Sequence, residues 1–155
     1  MKKLPPVEKI YEAWSAIADG RVTMKTDSAL VASSNRAKEY TVSWDGKAFS
    51  STDNATLWQG YAGYPVIAVL MLQGRLPLDT HIAALFAGVN WTNANAAAKR
   101  DYAKAVATVF AQFGFDREQQ DRIRAEAQKT YTALAALDIE IRRKNSRKPS
   151  CGADK

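Results

Sequence analysis

The sequence predicts an α+β domain: an N-terminal helix, a small antiparallel β-meander of three or four strands, and a mostly helical C-terminal half with a long last helix. Three observations carry this. Apolar residues recur at steps of three and four up to Gly20, they alternate with polar ones between residues 21 and 50, and helical spacing returns after Pro65.

Pro5 and Pro6 precede the first helix, in which Val7, Ile10, Trp14 and Ile17 form one apolar face and Gly20 supplies the stop. Residues 21–25 and 29–33 read as short strands, and 39–44 alternates Tyr40, Val42 and Trp44 with Thr41 and Ser43. Asp45-Gly46 predicts a two-residue type I′ turn into a returning strand over 47–50. Residues 51–54 are capping types, so Thr52 or Asp53 starts a short helix through Trp58 that Gly60 and Gly63 interrupt.

Pro65 suits the first turn of the next helix, whose run 66–72 is apolar all round and therefore buried on several sides. Gly74 ends it. Asp79 or Thr80 caps a short helix bearing Ile82, Leu85 and Phe86, which Gly88 ends. A longer helix starts near Thr92 or Asn93 and buries Tyr102, Val106, Val109, Phe110 and Phe113 before Gly114. Asp116 with Gln119 resembles a capping box opening a final helix toward Lys144, with a stripe of Ile123, Ala127, Tyr131, Leu134, Leu137 or Asp138, and Ile141. That narrow stripe packs on the helix's own domain or on its twin in a homodimer through residues 117–144.

The 155 residues, 46% of them apolar, suffice for one core without staples. A single domain is expected over 1–144, followed by a disordered basic tail over 145–155. The longest apolar run, 66–72, falls far short of the roughly 20 residues of a membrane span, and the amino end lacks the apolar stretch of a secretory signal. A soluble cytoplasmic protein with no membrane partner is expected. One histidine, His81, and one cysteine, Cys151, exclude structural zinc, iron–sulfur clusters and Cys–His nucleophile chemistry, so no metal and no cofactor is expected.

The net charge of +6 is unevenly placed. Residues 142–155 carry Arg142, Arg143, Lys144, Arg147, Lys148 and Lys155 against Asp154 alone, or +5, and residues 1–141 hold 16 basic against 15 acidic side chains, or +1. The tail is either a solubilising terminus or an arm that touches phosphates without reading sequence.

Groups that change charge or attack near neutral pH are few. His81, two residues after Asp79, reads as a cap-adjacent imidazole, and Cys151 as a free thiol in the tail. The stretch 60–65 leads into a helix N-terminus but lacks the Lys-Ser/Thr of a P-loop. An enzyme built on Asp45, Asp53 and that turn is the least favoured class, and a non-enzymatic protein is expected.

The most informative patch is aromatic. Trp44, Phe49, Trp58, Tyr61 and Tyr64 fall close together beside Arg36, Lys38 and Lys47, the combination on which single-stranded nucleic acid stacks. Core packing competes for every ring, more for Trp44 and Trp58 than for Tyr61 and Tyr64, whose glycine-rich setting suggests a loop.

From Glu39 to Leu72, the order of strand, tight hairpin, short capped segment and Gly-Tyr-Pro leading into Ile-Ala-Val-Leu-Met-Leu resembles the SWIM domain, a ββα module with Cys-x-Cys after the hairpin and Cys-x-His opening the helix. The first pair falls on Ser51 and Asp53, the second on Tyr64 and Val66, so all four ligands are missing. The resemblance implies a zinc-free relative in which Val66, Tyr64 and Trp58 pack in place of the metal, and it implies DNA or protein binding. The expected function is a nucleic-acid-binding accessory protein, for DNA or single strands, using Arg36, Lys38, Lys47, Trp58, Tyr61, Tyr64 and the tail residues Arg142, Arg143, Lys144, Arg147 and Lys148. The alternative is a protein-interaction scaffold that dimerises through its last helix.

Overall fold

The computed structural model describes residues 3–142, so Arg143, Lys144, Arg147, Lys148 and Cys151 lie outside the described residues. The α+β class holds: α1 (Lys9–Ala18), the strands β1 (Val22–Met24), β2 (Ser28–Ala32), β3 (Glu39–Asp45) and β4 (Ala48–Ser51), then α2 (Tyr64–Leu72), α3 (Thr80–Ala84), α4 (Trp91–Ala97), α5 (Tyr102–Phe113), α6 (Arg117–Ala136) and β5 (Glu140–Ile141). The five strands lie in sequence order, antiparallel except for β5, which pairs parallel with β4.

The sheet buries Ala29, Val31, Val42 and Phe49 on one face, against which α2 packs. Because α2 is apolar all round, it is also covered by α1 on its far side, and residues 65–71 are buried throughout. The predicted single apolar face of α1 is too modest: every residue from 9 to 16 is buried, including Lys9 and Glu12. Behind α1, Tyr11, Trp14, Phe86, Phe110 and Phe115 meet ring to ring at centroid distances from 5.3 to 6.2 Å.

Three local predictions are corrected. In the β3–β4 hairpin Asp45 pairs with Ala48, so the turn residues are Gly46 and Lys47; only Gly46 has positive φ, the type II′ pattern rather than I′. The long helix predicted over 92–113 is two, because α4 stops in a Schellman motif with Lys99 N–H to Ala96 O and Arg100 N–H to Asn95 O. Lys99 and Arg100 sit there at φ 54 and 66, positions usually given to glycine, and Phe113 is 41% exposed. The last helix ends at Ala136 rather than Lys144, since Leu137 turns extended and Glu140 and Arg142 donate backbone bonds to Lys47 O and Phe49 O.

The capping box of Asp116 and Gln119 is present. The α6 stripe buries Ile123, Ala127, Thr130 and Leu134 within this chain's own core, and the Tyr131 hydroxyl donates to Pro5 O at 2.8 Å. The seam offered for a dimer is thus covered by the chain itself. Among the described residues no helix is long and apolar enough to cross a membrane.

Candidate aromatic and cationic cleft

The hairpin β3–β4 runs directly into a buried polar knot. Ser51 Oγ donates to Asp53 Oδ1 and Thr56 Oγ1 donates to the same oxygen at 2.9 Å, while Oδ2 accepts the Thr56 N–H at 3.1 Å. Thr56 Oγ1 then accepts the Gly63 N–H at 3.1 Å, tying the segment to the start of α2. Of the two starts the sequence offers, Thr52 and Asp53, it is Asp53 that accepts the Thr56 N–H, but the N-cap position is Asn54 and the segment is a π turn over Ala55–Gln59 rather than an α-helix. Single π turns widen the backbone locally and recur at functional sites.

This turn throws Trp58 outward, leaving it 71% exposed, whereas Tyr61 is buried and Tyr64 opens α2 half-buried. The prediction for Trp58 as core filling, in the sequence pattern or in place of a metal, is reversed. The knot of Ser51, Asp53 and Thr56 holds the segment without it. Trp58 and both tyrosines nevertheless come together, with Lys9, Tyr40, Asp53, Arg100 and Tyr102, around a cleft of about 500 Å³. That volume is within the roughly 300–1,000 Å³ of ligand sites.

Lys9 Nζ stands 4.2 Å from the Tyr102 ring centroid and 3.3 Å from Glu12 Oε2. Burial works against its ammonium, yet the Glu12 charge and Tyr102 more than offset this and hold its pKa above the usual lysine value. Burial likewise raises the phenols of Tyr40, Tyr61 and Tyr64, so at neutral pH they remain hydroxyl donors. Lys3 adds a further cation, with Nζ 5.7 Å from the Tyr61 centroid and 3.3 Å from Gln59 Oε1. Arg100 enters the cleft lining on the strained exit of α4.

The other predicted site residues are scattered. Arg36, in the β2–β3 turn at φ 59, donates Nη2 to Asp19 O at 3.1 Å, and Lys38 is exposed beside it. Lys47 sits at the opposite end of β3, roughly 20 Å away at the rise of a strand, and bonds Asp138 at 3.4 Å. The expected Arg36, Lys38 and Lys47 face is therefore not formed. Arg142 pairs with Glu140 at 3.4 Å on the sheet edge. His81 lines a separate hollow with Ile82, Leu85 and Arg122, away from Asp53. Among the described residues no cluster of three His, Cys, Asp or Glu could hold a metal ion.

The model of the family described as uncharacterised conserved protein UCP014422 matches residues 2–140. The chain belongs to that family. No curated protein and no solved structure matches it. In this UCP014422 member the match takes in every cleft residue, from Lys9 to Tyr102.

Lys9, Tyr40, Arg100 and Tyr102 were not apparent from sequence. Lys9 and Glu12 did leave a signal, an opposite-charge i, i+3 pair inside an otherwise apolar helix. Arg100 left none, because its backbone turns without a glycine.

Proposed function

We propose that this chain is a binding protein for single-stranded nucleic acid, taken up in the cleft between the π turn and the exit of α4. The carrying observation is the 71% exposure of Trp58 on the lip of a cleft lined by four tyrosines, Lys9 and Arg100. A largely exposed indole at the edge of a polar cleft offers a ring face on which a base can stack, and such stacks contribute about 1–3 kcal/mol each. Lys3 and Arg100 supply positive charge, Lys9 is held in its ion pair with Glu12, and Asp53 is turned inward by its hydrogen bonds. The basic run from Arg142 onward adds sequence-independent attraction to phosphates. The SWIM-like order of residues 39–72 supports a binding role.

Fluorescence anisotropy with labelled single-stranded ten-mers over a salt series tests this. Binding at low salt, weakened by added salt, by deleting residues 142–155 and by Trp58→Ala, is expected. Absence of binding at low salt, or a Trp58→Ala variant that binds as the parent does, would overturn it.

A further inference from the structure

The turn between α4 and α5 separates two hollows. On one side is the cleft; on the other, between the two helices, lies a groove of about 350 Å³, bordered by Asn93, Ala94, Lys104, Val109, Gln112 and Phe113 among others. Its volume, like that of the cleft, is in the range of ligand sites. Ala98 borders the groove and Arg100 the cleft, so at this point only the left-handed turn of Lys99 and Arg100, about 7 Å of chain, divides them.

Trp58 and Phe113 are the only exposed aromatic rings among the described residues, at 71% and 41%. Each borders one of the two hollows. The ring of Phe113 rests at 5.5 Å from that of Phe115 at the end of α5.

The polar groups around Phe113 are uncommitted. Lys104 alone of the described residues bordering the groove is charged, and its Nζ has no ion pair or hydrogen bond among the described residues, whereas Lys9, Arg21, Lys47, Arg117 and Arg142 all have a carboxylate partner. The side chains of Lys99 and Arg100 are likewise unpaired among the described residues. The intervening Asp101 is occupied by the cap of α5, its Oδ1 accepting the Lys104 N–H at 3.1 Å. The side-chain amides of Asn93 and Gln112 border the groove with no partner among the described residues.

We propose that the groove is the second half of the strand's track: a single strand leaves the cleft past Arg100, crosses the turn, and stacks a further base on Phe113 with a phosphate against Lys104. The inference rests on the proposed function. Sites for single strands combine a cationic path for the backbone with rings spaced along it. A side-chain amide both donates and accepts, so Asn93 and Gln112 can bond base edges without demanding one particular base.

Strand length is the test. Anisotropy compares three-mers with ten-mers on the full chain. Phe113→Ala should weaken ten-mers about 5- to 150-fold, the loss of one stacked base, and leave three-mers bound in the cleft unchanged. Phe113→Tyr, which keeps a ring, should bind ten-mers as the parent does. Lys104→Ala should weaken ten-mers and lower the slope of log affinity against log salt by about one. In the wild type, which needs no variant, the Asn93 and Gln112 side-chain amide NMR signals should shift with ten-mers and not with three-mers. Ten-mers that bind Phe113→Ala as they bind the parent, or that leave both amides unmoved, overturn the groove and leave the cleft standing. Equal loss on both lengths overturns it as well, because the ring would then act through the fold. Ten-mers that fail to bind the wild type at low salt overturn both the groove and the cleft.

Discussion

The Asp53 carboxylate fills the space that a side chain on Gly63 would need. A Cβ on Gly63 would collide with Oδ2 and lie 3.0 Å from Cγ and 3.2 Å from Thr56 Oγ1. The glycine is set by this approach and not by its backbone, whose φ of −72° suits any residue.

Gly63→Ala should therefore destabilise the fold by about 1–3 kcal/mol, the usual range for overpacking a filled site. Urea denaturation reads it directly. The loss comes from parting Asp53 from Thr56, so the variant should also shift the amide signals of Thr56 and Gly63. An alanine variant as stable as the parent would mean that the knot relaxes freely.

Lys99→Gly should stabilise the protein. Left-handed backbone costs a residue with a Cβ about 1–2 kcal/mol, whereas glycine adds about 0.4–1 kcal/mol of unfolded-state freedom. The difference favours glycine by roughly 0.5 kcal/mol, visible as a small rise in Tm. The same comparison explains why the break between α4 and α5 escaped sequence reading: the left-handed turn is made by Lys99 and Arg100, neither of which prefers that conformation.

Glu12 gives a pH dependence. Burial raises its carboxyl above the ordinary glutamate value, outweighing the opposing pull of Lys9, the Asn95 hydrogen bond and Arg21. In the window between the unfolded and folded values the native state holds more protons than the unfolded chain, so this group's contribution to stability is present at low pH and is lost as pH rises. The stability of the wild type relative to Glu12→Gln should accordingly grow as pH falls through that window. Thermal melts of both proteins at stepped pH measure it, and a constant difference would show that the carboxyl keeps its ordinary value.

Local chemistry determined much of this protein by itself. The first helix and its Gly20 stop, the meander, the apolar α2, the caps of α3 and α6, and the placing of excess charge in the last 14 residues come from periodicity, turn residues and capping types, which act within a few positions of the chain. Tertiary structure alone decided the rest. Lys9, Tyr40, Trp58, Tyr64 and Arg100 come from five separate segments, and no spacing along the chain encodes their meeting. Burial fell on Tyr61 and exposure on Trp58 because the Ser51, Asp53 and Thr56 bonds fix how the π turn faces, and α6 stopped at Ala136 because the edge of β4 offered backbone partners to the residues beyond. Beyond α6 a long-range backbone pairing outweighed a local preference of a few tenths of a kcal/mol per residue, whereas the bonds of the knot span only two and three positions and set the π turn through its join to the start of α2.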